Sequence, residues 1–79
     1  MSKYIVEIVT PLTVEDMSWT KREPCRVGEH EDKWFHYPFS RIGAARAFSE
    51  RAKEKLGEDC LLSRVFEVHV KTTEELRLV

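Results

Sequence analysis

The sequence predicts an α+β domain: a small, mainly antiparallel sheet of three to four strands with one principal helix packed on one face. Three observations carry that prediction. Tyr4 to Val9 is a run of mostly β-branched residues broken only by Glu7. Arg41 to Leu56 repeats apolar residues at helical spacing, with Ser40 before it and Gly57 after it. Leu61 to Lys71 largely alternates apolar and polar residues. A single helix covering a single sheet face is the simplest way to bury both apolar surfaces. Seventy-nine residues make one domain, 1–79, and a chain this short buries roughly 60–65% of its unfolded surface, so its stability is thin.

Tyr4 to Val9 reads as a strand stopped by Thr10-Pro11. Its apolar continuity predicts either cover on both faces or an apolar face left for a partner. Leu12 to Met17 resembles a helix start. Thr13 is a capping residue, Asp16 stands at the third helical position, and Leu12 is placed to staple onto Met17. One or two turns are expected before Trp19-Thr20 and Pro24. Residues 19–27 suit an irregular edge strand, since Pro24 argues against a central one. Gly28 through Asp32 reads as a polar turn. Trp34 to Tyr37 follows as a short strand ended by Pro38.

The helix is the clearest element. Ser40 is expected to cap its N-terminus and Gly57 to close its C-terminus. Ile42, Ala45, Phe48, Ser49, Ala52 and Leu56 form a narrow core-facing stripe, with Phe39 folding back over the first turn. Gly43 reads as a close-packing position. Arg46, Glu50, Lys53 and Glu54 fall on the opposite face and can pair at i+3 and i+4. In Leu61 to Lys71, Leu62, Phe66, Val68 and Val70 share one face, and Ser63, Glu67, His69 and Lys71 the other. Arg64 and Val65 break this alternation and predict a bulge or an edge position. The tail offers two readings: a capping box in Thr72-x-x-Glu75, or a strand through Glu75 to Val79. Any crossover between parallel strands through the helix should be right-handed.

Charge narrows the function. Thirteen Lys and Arg oppose fourteen Asp and Glu, for a net charge of -1. A general nucleic-acid binder shows a basic excess, and an imitator of duplex DNA shows a large acidic one. Partners are therefore expected to be recognised by shape and a local patch. Cys25 and Cys60 are too few for a disulfide scaffold and are expected to be reduced thiols. No signal-peptide pattern opens the chain, and its apolar runs fall short of the roughly 20 residues that span a bilayer. Both point to a soluble cytoplasmic protein.

Motifs that specify chemistry are absent. Cys25, His30, His36 and Cys60 are the right residue types for zinc. Their spacing lacks the tight ligand pairs of fingers and ribbons, so no metal or other cofactor is expected. Cys25 or Cys60 as a nucleophile would need a base, for which His69 is the nearest candidate in kind. The glycines are scattered and form no phosphate loop. Glu29, Glu31 and Asp32 read as a solvated acidic turn. No enzyme activity is expected.

Aromatic residues point to protein binding. Trp34-Phe35-His36-Tyr37-Pro38-Phe39 holds four of the eight aromatics. Phe39, Phe48 and Phe66 are expected in the core. In an extended segment, Trp34 and His36 point one way and Phe35 and Tyr37 the other, so one pair must face away from the helix. Which pair does so is open at this level. Trp, Tyr and Arg dominate interface hot spots. The expected contact set is Trp19, Arg22, Glu29, Glu31, Asp32, Trp34 and Tyr37. An alternative is a nucleic-acid-binding accessory protein using Arg41, Arg46, Arg51 and Lys53 on the helix. Glu50 and Glu54 interrupt that basic face and favour a solvated surface. Monomer and homodimer are both compatible, the latter through the uncovered sheet face or an edge strand.

With its strand start Tyr4-Ile5-Val6-Glu7-Ile8, its helix Arg41 to Leu56 and its closing Ser63-Arg64-Val65-Phe66-Glu67-Val68, the chain resembles, in size and element order, small accessory proteins of bacteriophages. Among them are anti-CRISPR inhibitors. The resemblance is one of outline, with no signature motif and no functional residue to transfer. It implies a non-enzymatic inhibitor in the host-cell cytoplasm that blocks a bacterial defence complex by occupying one of its surfaces. The near-neutral charge departs from DNA imitation and implies a steric or allosteric block.

Overall fold

A computed structural model of the chain describes residues 3–29, 32–70 and 74–79. Five strands form one sheet: β1 (Tyr4–Thr10), β2 (Arg26–Glu29), β3 (Lys33–Phe39), β4 (Leu62–Val70) and β5 (Glu74–Leu78). They lie in the order β2-β3-β1-β4-β5, and every neighbouring pair is antiparallel. β3 and β4 therefore flank β1 and run parallel to each other. The helix α1 (Ile42–Leu56) makes the crossover between them and packs on β1, β3 and β4. The α+β class holds, but the sheet has five strands where three to four were expected. The additional pairings lie at its edges.

The edges explain the miscount. β2 begins at Arg26, and the stretch before it forms no strand. Residues Glu15–Thr20 form a 3-10 helix instead, with Thr13 and Asp16 bonded reciprocally across its start. The Thr13 amide donates to Asp16 Oδ2 at 3.0 Å, and the Asp16 amide donates back to Thr13 Oγ1 at 3.3 Å. Lys21, at φ 55°, closes that helix by donating to the Ser18 carbonyl. The expected turn at Gly28 is strand backbone, paired to Trp34. The tail takes the strand reading as β5; Thr72, the other possibility's cap, lies outside the described residues.

Pro38 does not end β3. It stands in register with Ile5 near the strand's end. The His36 carbonyl accepts from the Cys25 amide, so the backbone groups of His36 point toward β2. Those of Pro38, two residues on, point the same way, past the last β2 pair at Arg26. The missing N–H thus breaks no ladder bond. Because the chain stays extended through Arg41 (φ -127°, ψ 135°), Arg41 and not Ser40 occupies the N-cap, and no side chain caps this end. Gly57 closes the other end at φ 55°. Gly43 is not a close-packing position: a Cβ there would meet nothing within 4 Å.

The core lies between α1 and one sheet face. Val6, Ile8, Phe35, Tyr37, Phe39 and Val65 meet Ala45, Phe48 and Ala52 of the helix, with Met17 closing one end. Phe48 is its hub, with its ring about 5 Å from Tyr37 and Phe39 and 5.9 Å from Trp19. Ser49 and Ser63 satisfy each other inside it. Ser63 Oγ donates to the Ser49 carbonyl at 3.1 Å, leaving the Ser49 hydroxyl to donate to Ser63 Oγ at 2.6 Å. The register of β4 against β1 runs unbroken from Leu62 to Glu67, so no bulge occurs. Val65 is a core residue. Arg64 and Phe66 lie on the opposite face, which corrects the expectation that Phe66 joins the core.

Candidate interaction face

The sheet face away from the helix is assembled by register. One row crosses it as Arg26, His36, Glu7 and Arg64, from β2, β3, β1 and β4. On one side of that row stand Pro38, Ile5, Phe66 and Leu78; on the other stand Gly28, Trp34, Val9 and Leu62. Val68 and Leu76 extend the same face along the β4–β5 hairpin. Polar groups thus form a band across an apolar field.

Glu7 is the centre of the band. Its Oε2 accepts from His36 Nε2 at 2.7 Å, and its Oε1 accepts from Arg64 Nε at 2.9 Å and Nη2 at 2.7 Å. Burial on its own would raise the Glu7 carboxyl pKa, but the hydrogen bonds from His36 and Arg64, with their charge, hold it below the usual value. His36 is buried, 6% exposed, while Arg64 reaches outward along the Phe66 ring at 4.8 Å. Trp34 tilts against His36 at 4.7 Å between ring centres, and Arg26 lies 5.9 Å above it. The indole also lies across Gly28, where a Cβ would overlap it. Glycine here is a steric requirement of the Trp34 position.

This face is largely apolar and is covered by no element among the described residues. Trp34, Val9, Phe66, Val68 and Leu76 are half-buried; Leu62 and Leu78 are exposed at 38% and 63%. The strand alternation left open by the sequence is now resolved. Trp34 and His36 point outward from the helix layer, and Phe35 and Tyr37 are fully buried beneath it.

The expected contact set does not assemble. Tyr37 is 1% exposed and burial raises its hydroxyl pKa, so it is a core residue. Trp19 is half-buried, stacked on Phe48 on the helix side, with its Nε1 buried and without a hydrogen-bond partner. Arg22 is exposed and lies 4.2 Å over the Phe39 ring. Glu29 pairs with Lys33 at 3.4 Å, with the Glu29–Lys33 pair on the face opposite Trp34. Asp32 is half-buried, and Glu31 lies outside the described residues. Among the described members of the set, Trp34 is the one that strand register places on the helix-free face. Missing from the set were Glu7, Arg64, Leu62, Phe66, Leu76 and Leu78.

The basic candidates Arg41, Arg46, Arg51 and Lys53 are all exposed on α1 or its cap. Arg46 and Lys53 line a groove of about 420 Å³ between α1 and β4. Glu50 lines it too and pairs with Lys53 at 3.1 Å. Cys25 and Cys60 are free thiols. Cys25 Sγ donates to the His36 carbonyl at 3.4 Å, and burial pushes the Cys60 pKa up, away from a reactive thiolate. His69 Nε2 is engaged by Glu67 at 2.7 Å. His30 lies outside the described residues; among those described, no group of three or more His, Cys, Asp or Glu is placed to hold a metal ion. No helix among them is long and apolar enough to cross a membrane. Comparison of the chain with protein-family models, with curated proteins and with solved structures finds no match.

Proposed function

We propose that the chain is a non-enzymatic protein-binding module that docks through its helix-free sheet face. The observation that carries this reading is the apolar field around the Arg26–His36–Glu7–Arg64 band. Such a field with a polar band inside it is the composition of an interface centre, where aromatic and arginine side chains dominate binding. Glu7 holds Arg64 and His36 in place before any partner arrives, which lowers the ordering cost of binding. Arg26 has no ion-pair partner among the described residues, so an apolar partner surface carrying a carboxylate suits the band best. The resemblance in outline to phage inhibitors supplies the most concrete form: occupation of one surface of a bacterial defence complex in the host cytoplasm.

The test is affinity capture from a bacterial lysate with wild type, Leu62→Asp and Arg46→Ala, each first shown to be folded. Leu62→Asp should lose the captured protein and Arg46→Ala should keep it. The reverse outcome would move the site to the helix. A second reading, nucleic-acid binding through Arg41, Arg46, Arg51 and Lys53, is favoured by the groove that gathers Arg46 and Lys53. It requires binding to single- or double-stranded DNA or RNA at low salt that falls steeply as salt rises.

A further inference from the structure

We propose that a second copy of this chain pairs with the first along the outer edge of β5, about a two-fold axis through Leu76, joining two five-stranded sheets into one of ten. Among the described residues no strand pairs with that edge, and its backbone is already oriented. The Val79 amide donates to the Val65 carbonyl, so Val79, Arg77 and Glu75 direct their backbone groups inward to β4. Glu74, Leu76 and Leu78 therefore direct theirs outward. An antiparallel copy centred on Leu76 sets Leu76 against Leu76 and Glu74 against Leu78. All three residues then both donate and accept, for about six new backbone hydrogen bonds.

Side chains select this register. Paired residues must share a face, so the axis must pass through a residue. Centring on Glu75 or Arg77 would set that charge against its own copy, which is destabilising. Centring on Leu76 sets Glu75 against Arg77 of the second copy, twice. Within one chain, Glu67 already stands opposite Arg77, and His69 opposite Glu75. The joined sheet thus carries two rows reading Glu67, Arg77, Glu75 of the second copy and His69 of the second copy, with carboxylates and cations alternating. On the other face, Leu76 meets its own copy and a Val68 flanks the pair at each end, in one apolar row. The other edge, β2, has no such symmetry: Arg26 and Glu29 are three residues apart and lie on opposite faces. Because paired residues share a face, both helices fall on one side and both helix-free faces on the other. This gives a bivalent surface. The pairing does not depend on what docks there.

Light scattering on the purified chain tests it, with fold checked by circular dichroism. Wild type at high concentration should give twice the 9.3 kDa of one chain. Leu76→Pro should give a single chain, because it deletes an outward N–H and leaves the β4–β5 bonds intact. Glu75→Arg sets Arg against Arg across the axis, and Arg77→Glu sets Glu against Glu, so each should be monomeric alone. Mixed in equal amounts, the two variants place opposite charges at both positions and should recover the doubled mass. Single-chain mass for wild type would overturn the proposal. So would a dimer indifferent to these substitutions, or a mixture that stays monomeric. Should Leu76→Pro fail to fold, the mixing experiment decides alone.

Discussion

Val6 and Ile8 on β1 lie under the helix with no exposed surface, while Glu7 between them holds a histidine and an arginine on the other side of the same strand. The contrast extends across the sheet. Beneath the helix, aromatic and aliphatic side chains pack around Phe48, Ser49 and Ser63 pair with each other, and the Trp19 Nε1 beside Phe48 is buried without a partner. On the bare side, apolar residues remain partly open to solvent around a charged band. A helix closes a surface at lowest cost where the facing residues are apolar or mutually satisfied. On the bare side, His36 and Arg64 satisfy and orient the Glu7 carboxylate. The covered face accounts for the fold, and the bare face carries the proposed contact.

Substitutions can break this division at different depths. Phe48→Ala empties the hub of the covered face and should cost about 3–5 kcal/mol, enough to unfold much of a small domain. Denaturant titration followed by tryptophan fluorescence measures it. Glu7→Gln strikes the bare face. It leaves the His36 and Arg64 donors without their carboxylate and should cost about 1–3 kcal/mol. Glu7 is held below its ordinary 4.5 in the folded chain. Its contribution is therefore fully present above pH 4.5 and lost as the pH falls below 4.5 through the folded value. Wild type should lose stability over that window more steeply than Glu7→Gln, as measured by thermal midpoints at a series of pH values. Asp16, also lowered by hydrogen bonds from Thr13, keeps part of the acid dependence in both proteins. Gly43→Ala touches neither face. It removes a flexible residue from the exposed first helical turn, with open space for the methyl group, and should raise stability by about 0.5–1 kcal/mol.

The sequence made one side of this contrast far more legible than the other. The helix and its core stripe are legible by period and β1 by its β-branched run, whereas the alternating apolar set of β4, Leu62, Phe66 and Val68, belongs to the bare face. The edge strands are not legible in this way. β2 joins Arg26, which reads as the end of an irregular edge strand, to Gly28 and Glu29, which read as a polar turn, and its pairing depends on β3 being there. Glu7, His36 and Arg64 are separated by 29 and 28 positions in the chain. Only the register of three strands places them in one row. Arg64 looked like a fault in the β4 pattern for that reason: its partner is on another strand. Phe66 reads as a core residue by type, but it shares its face with Arg64 and Leu62, away from the helix. Tyr37 and Trp34 could not be separated without knowing which side the helix takes.

Trp34 and Phe35 are neighbours on opposite faces, so they test the division most directly. The decisive measurement is binding of the captured partner by Trp34→Ala, read beside the thermal midpoints of Trp34→Ala and Phe35→Ala. Phe35→Ala should lose the fold's stability on the scale of about 3–5 kcal/mol expected of a core truncation. Trp34→Ala should keep most of the midpoint and lose the partner. Undiminished binding by a folded Trp34→Ala protein would contradict the assignment of function to the bare face.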